Sequence, residues 1–105
     1  MYKDIAIIGY SLKLPNADNL EQFHNNLLYK KDCIKSVSLS RRKLLNLDPE
    51  KDYLEVGYIE GIELFDNKFF NIPAAEAKYI CPEQRLGLEM AAEAIMSSGY
   101  SLEYF

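Results

Sequence analysis

The longest predicted helix, residues 82–98, places the strongest constraint on how this chain folds. Pro82 suits the first helical position, where a missing backbone N–H leaves no bond unmade, and Gly99 suits the position just past the end. Apolar residues recur at helical spacing in two stripes: Leu88, Ala91, Ala92 and Ile95 in one, and Leu86, Met90 and Ala94 in the other. A helix that is apolar on most sides is typical of a buried position. We therefore expect it to be the central helix of a larger structure.

A short apolar run near the start of the chain, Ile5-Ala6-Ile7-Ile8-Gly9, predicts a strand that is buried on both faces. Such a strand needs neighbouring strands on both sides. One glycine follows it, without the further glycines of a G-x-G-x-x-G pattern, so a phosphate-binding loop is not indicated.

The segments between these two elements carry weaker signals. Asp18 and Glu21 have the spacing of a capping box, and Leu20, Phe23, Leu27 and Leu28 line one side of a helix predicted over residues 18–30. Three further elements are predicted: a short helix at 40–45, a strand or hairpin near 56–60 that turns at Gly61, and a helix at 73–79.

Composition excludes several classes of function. The chain has 105 residues, which fits one domain, and its net charge of -4 does not favour nucleic acid. It has no apolar run of the ~18 residues that a membrane span needs, and its first residues do not form a signal peptide. Two distant cysteines, Cys33 and Cys81, indicate free thiols in a reducing cytoplasm.

Catalytic and metal-binding patterns are missing from the sequence. His24 is the only histidine, and without a nearby cysteine or a second histidine we expect a half-buried packing residue and no metal site. Cys81 precedes Pro82 at a helix N-terminus, where the helix dipole favours a thiolate. The alternative is a small buried residue at a helix start. We therefore predict no catalytic, cofactor-binding or metal-binding residue, and no cofactor.

Several motifs resemble the opening of a β-ketoacyl synthase domain of modular polyketide synthases. They are the Ile5–Gly9 run followed by residues 14–23, the stretch 57–66, the Phe69-Phe70-Asn71-Ile72 segment with Glu76-Ala77, and Pro82-Glu83-Gln84-Arg85-Leu86 completed by Glu89, Glu93-Ala94 and Gly99-Tyr100. The match is collinear over nearly the whole chain. It departs from the family at four places: Cys81 stands for an aspartate, His24 for a tryptophan, Asn71 for a glycine, and Arg42-Lys43 for an arginine-tryptophan pair.

The resemblance implies an α/β fold, namely the truncated N-terminal part of a thiolase-like α-β-α layered fold. Residues 1–105 would form a single N-terminal ketosynthase-like fragment. The nucleophilic cysteine of the family lies in a later segment, and its two catalytic histidines come later still. No family catalytic residue can therefore be assigned to a position here, and Cys33 and Cys81 match neither the motif nor its place.

Three hypotheses follow from the resemblance. The chain is a catalytically silent structural, docking or assembly piece in polyketide biosynthesis, or one half of a split synthase that condenses carrier-protein-bound acyl thioesters with a partner chain. The third is a truncated product or expressed fragment without a role of its own. We expect a homo-oligomer or a complementary polyketide synthase chain as partner, with acyl carrier protein contacted through the completed domain. The predicted interface residues are Leu86, Leu88, Met90 and Ile95.

Overall fold

The computed structural model describes residues 3–104, with the side chain of Tyr104 left out of the description. Its elements in chain order are α1 (Leu20–Leu28), α2 (Leu39–Leu44), α3 (Ala74–Ala77), α4 (Pro82–Ser97) and a 3₁₀ helix at Leu102–Tyr104. The chain divides into two compact units. Unit 1 consists of Met1–Lys13 and Gly61–Phe105, and unit 2 is Leu14–Glu60. Whether residues 1–105 act as one domain stays a prediction.

In unit 1, α4 has the ends that the sequence predicts. Pro82 lies in its first turn, and Gly99 has φ 84°, a left-handed conformation in which glycine carries no Cβ penalty. The predicted burial on most sides is wrong for this unit, because Ala92 is the one buried residue of the helix. The neighbouring segments of unit 1 cover parts of α4 and leave Met96 48% exposed.

The predicted strand at residues 5–9 is also wrong. These residues have no assigned secondary structure. A strand exists through hydrogen bonds to a neighbouring strand, and no segment within residues 3–104 supplies one. The predicted helix at 73–79 is shorter than expected: α3 ends at Ala77, and its last turn tightens as Ile80 N–H donates to the Ala77 carbonyl over 3.2 Å.

In unit 2, α1 begins one residue later than a cap at Asp18 predicts. Asn19 is the N-cap, and its Oδ1 accepts the Gln22 N–H at 2.9 Å. The Gln22 side chain reaches back and accepts the Asp18 N–H at 2.8 Å. Asparagine caps a helix as well as aspartate does, so Asn19 takes the capping role predicted for Asp18, and Gln22 replaces Glu21 as the side chain that returns to the backbone, at the Asp18 N–H.

The predicted strand or hairpin near residues 56–60 is reduced to one bridge. Lys35 and Val56 exchange two backbone hydrogen bonds, of 3.1 and 2.9 Å, and the pairing stops there. Around it, Tyr58 organises the unit: its hydroxyl accepts the Ser38 N–H at 3.0 Å, and Arg41 lies over its ring with 5.3 Å between guanidinium carbon and ring centroid. Ser38 in turn caps α2 by accepting the Arg41 N–H at 3.3 Å.

Very little of the described chain is buried. The buried apolar residues are three alanines, Ala17, Ala77 and Ala92. Many large apolar side chains are exposed instead, among them Leu54 and Leu64 at 87% and 71%. Burial of apolar area is the main favourable term in folding, so the two units by themselves have weak cores and large apolar surfaces.

Candidate functional site

The most exposed apolar segment of unit 1 is residues 5–8, here called the arm. The exposed fractions of Ile5, Ile7 and Ile8 are 93%, 89% and 57%. Successive residues of a strand point to opposite faces, so in a strand Ile5 and Ile7 would lie on one face and Ile8 on the other. Exposed apolar patches of this kind mark interaction sites in soluble proteins.

The arm is attached to the C-terminal half of α4 through Gly9. A Cβ atom at Gly9 would lie 2.2 Å from the Ala94 carbonyl oxygen and 3.0 Å from the Ser98 Cβ, so only glycine allows the backbone this close. The next residue, Tyr10, contacts Ser97 through two hydrogen bonds. Ser97 Oγ accepts the Tyr10 N–H at 2.8 Å, and its hydroxyl hydrogen is shared between the carbonyl oxygens of Tyr10 at 2.8 Å and Ala94 at 2.9 Å.

A third bond continues this attachment further along the helix. Ser11 Oγ donates to the Met90 carbonyl oxygen over 2.7 Å. Residues 9–11 therefore fix where the arm leaves α4, whereas the arm itself is in contact with solvent over most of its surface.

A cleft of about 330 Å³ lies between the arm and α4. Its lining is apolar except for one serine and consists of Ala6, Ile7, Ile8, Gly9, Ala94, Ile95 and Ser98. One of the four predicted interface residues, Ile95, lines this cleft. Leu86 and Met90 lie half-buried elsewhere on α4, and Leu88 is 39% exposed. Their role as an interface stays a prediction. The predicted interface did not include the arm isoleucines. The signal that could have identified them is the β-branched run, with apolar residues on both faces of the predicted strand.

Within residues 3–104, the two cysteine thiols donate to a carbonyl oxygen and to a carboxylate. In unit 2, Cys33 is half-buried and its thiol donates to the Lys31 carbonyl oxygen, with 3.7 Å between sulfur and oxygen. His24 is exposed on α1, so the predicted packing role is wrong. Neither residue is arranged as the thiol–imidazole pair that activates a cysteine nucleophile.

In unit 1, Cys81 is exposed, so the interpretation as a small buried residue is wrong. It lies at the N-cap of α4, where its side chain makes no capping bond to the helix backbone. The pKa of Glu83 is lowered, first by a hydrogen bond from its own backbone N–H and then by one from the Cys81 side chain. Cys81 thus donates its thiol hydrogen to a carboxylate, which is a weak base toward a thiol, and not to an imidazole. Within residues 3–104, no group of three or more histidine, cysteine or acidic residues is placed to hold a metal ion.

Unit 2 contains a polar hollow of about 430 Å³ beside α1. Asn16, at φ 57°, accepts the Lys35 ammonium on its Oδ1 at 3.1 Å and the Asn26 amide on its carbonyl oxygen at 2.9 Å. Lys35 also pairs with Glu60 at 3.5 Å. These polar groups bond to one another, and the arrangement stabilises the loop before α1.

Comparison with known proteins places the chain in a family. The β-ketoacyl synthase N-terminal domain matches residues 2–104, so the chain belongs to the β-ketoacyl synthase family. It is 39% identical over 97 residues to a non-reducing polyketide synthase of Penicillium brevicompactum, and 38% identical over 104 residues to the polyketide synthase PksL of Bacillus subtilis. These matches cover 91% and 93% of this chain but only 4% and 2% of the relatives.

Solved structures agree with the sequence matches. The ketosynthase from module 6 of the bacillaene synthase of Bacillus subtilis superposes with a TM-score of 0.77 at 33% identity, over 91% of this chain and 17% of that one. A ketosynthase from the bacillaene polyketide synthase of Bacillus amyloliquefaciens gives a TM-score of 0.67 at 29% identity. The predicted family is therefore confirmed. The predicted fold class is confirmed too: the chain corresponds to a small N-terminal part of the thiolase-like α/β fold. No helix within the described residues is long and apolar enough to cross a membrane.

Proposed function

We propose that this chain is a structural segment of a β-ketoacyl synthase in polyketide biosynthesis, one that docks with other parts of the enzyme and carries no acylated residue itself. The observation on which the proposal rests is the exposed arm on α4, within a chain that matches the N-terminal domain of ketosynthases. An apolar segment attached to a helix and left open on both sides suits a piece that other chain segments complete.

The chemistry of the side chains agrees with this proposal. Acyl transfer to a thiol depends on a base that takes its proton and on donors that stabilise the developing oxyanion. Cys33 donates to a carbonyl oxygen, and Cys81 contacts the Glu83 carboxylate. A backbone carbonyl oxygen does not take up a proton, and a carboxylate with a lowered pKa is a weak base toward a thiol, so neither contact provides an effective base.

Incubation of the chain with an acyl-carrier thioester tests the proposal, with intact-mass spectrometry as the readout. We expect no acylated species to form at a catalytic rate. Cys33→Ser and Cys81→Ser variants separate slow chemical modification of one thiol from a specific reaction. Rapid acylation of Cys81 at one group per chain would overturn the proposal.

The alternative, one half of a split synthase, differs in what the assembled species does. The same exposed arm favours it, because an enzyme in two pieces needs such a surface. In that case the chain together with a complementary polyketide synthase chain would catalyse decarboxylative condensation of carrier-bound acyl thioesters. Product formation by the mixture, with neither chain active alone, would favour the split enzyme over a silent piece.

A further inference from the structure

The polar hollow of unit 2 has a wall of amide side chains along α1. Gln22, Asn25 and Asn26 follow one another at helical spacing and line its volume of about 430 Å³, and Lys31 lines it beyond the end of the helix. An amide side chain offers both donors and an acceptor, whereas an ammonium group offers donors only. The groups that are already bonded therefore decide which ligand the hollow can hold.

The internal hydrogen bonds of the hollow use mainly its side-chain acceptors. Asn16 Oδ1 accepts the Lys35 ammonium, and Gln22 Oε1 accepts the Asp18 N–H. Within residues 3–104, the amide N–H groups of Asn16 and Gln22 then have no acceptor of their own. Asn26 is the exception, because its amide donates to the Asn16 carbonyl oxygen and its Oδ1 is left. The hollow consequently offers more donors than acceptors to a ligand.

The charges of the hollow narrow the ligand further. Lys35 pairs with Glu60 at 3.5 Å, whereas no residue that the structure describes pairs with the Lys31 ammonium. With the Asp18 carboxylate included, the two lysines balance the two carboxylates. One negative charge beside Lys31 is then favourable. A phosphate group, with a charge of about −2, would be repelled by the carboxylates.

We propose that this hollow is a binding site for a small monocarboxylate that also carries a hydroxyl group. Its carboxylate would accept hydrogen bonds from the Lys31 ammonium and from the amides of Gln22 and Asn25, and its hydroxyl would donate to Asn26 Oδ1. This function goes beyond docking, because neither the arm nor α4 lines the hollow.

Titration of the isotope-labelled chain with lactate, followed by NMR, tests the proposal. We expect the side-chain amide signals of Gln22 and Asn25 to shift with a Kd of about 1–10 mM, which is typical of so small a ligand. Lactamide has a similar shape without the charge and should bind about 10-fold more weakly, because hydrogen bonds to a charged group are stronger. Inorganic phosphate should bind more weakly than lactate as well.

Two substitutions in the hollow test the residues that carry the proposal. Lys31→Gln removes the charge, keeps a donor and should weaken lactate binding about 10-fold. Asn25→Asp brings a further carboxylate into the hollow and should weaken it at least as much. Lys43→Gln is the matched control, because Lys43 is an exposed lysine of the same unit that does not line the hollow, and lactate binding should be unchanged.

Three results would overturn the proposal: amide signals of the hollow that do not move with lactate, equal affinity for lactate and phosphate, or equal lactate affinity in Lys31→Gln and Lys43→Gln. Each of them would leave the proposed docking function standing, since that function depends on unit 1 and the hollow lies in unit 2.

Discussion

The Gly9→Ala substitution examines the attachment of the arm directly. The new methyl group would lie 2.2 Å from the Ala94 carbonyl oxygen and 3.0 Å from the Ser98 Cβ. The Ala94 oxygen belongs to the backbone of α4, so the arm must move away. Overpacking of this kind costs about 1–3 kcal/mol.

Movement of the arm also breaks the two bonds of 2.8 Å between Tyr10 and Ser97. They are exposed to solvent, so each adds only about 0.5 kcal/mol, the low end for a hydrogen bond. We therefore expect a local destabilisation of about 2 kcal/mol or more, which corresponds to a change of about 30-fold in the opening equilibrium.

Native-state hydrogen exchange of the Tyr10 amide measures this opening, because its N–H donates to Ser97 Oγ. We expect its protection to fall about 30-fold in Gly9→Ala. In a Ser97→Ala background the Tyr10 amide has already lost its acceptor, so Gly9→Ala should then change its protection much less.

Gly87→Ala is the matched control. It makes the same chemical change in the interior of α4, where a Cβ would meet no atom within 4 Å. It should stabilise the helix by about 0.5–1 kcal/mol. The Tyr10 amide could instead be as protected from exchange in Gly9→Ala as in Gly87→Ala. In that case the arm would not be attached to α4 at Gly9, and the proposed docking role would lose its structural basis.

Three further substitutions test other parts of the structure. Gly99→Ala should destabilise unit 1 by about 1–2 kcal/mol in urea unfolding, because Gly99 has φ 84°; an unchanged midpoint would argue against this helix end. Tyr58→Phe should cost unit 2 about 1 kcal/mol, because the Ser38 N–H loses its acceptor while the ring is kept, and a thermal melt equal to wild type would contradict that bond. The lowered pKa of Glu83 stabilises the fold above its ordinary value of 4.5, and this stabilisation is lost as the pH falls through the lower folded-state pKa. Cys81→Ala should therefore raise the pKa of Glu83 in an NMR titration, and an unshifted curve would remove the thiol as a cause.

The sequence by itself determined the local structure wherever a few neighbouring residues decide it. Pro82 and Gly99 mark the two ends of α4, and the structure has them there, because capping depends on φ and on backbone N–H groups close by in the chain. The family was also readable from collinear motifs, and the match over residues 2–104 confirms it. Asp18 and Asn19 are adjacent, and both residue types cap helices, so the local sequence did not show which of them is the N-cap of α1.

Only the tertiary structure decided which apolar residues are covered. The Ile5–Ile8 run predicts a buried strand, yet burial and strand pairing depend on segments distant in the chain, and residues 3–104 provide none for it. The contact between Gly9 and Ala94 joins residues far apart in sequence, and no spacing rule foretells that a glycine there lets two backbones meet. The arm is consequently visible in the sequence as apolar and β-branched, whereas its exposure and its position on α4 are properties of the folded chain alone.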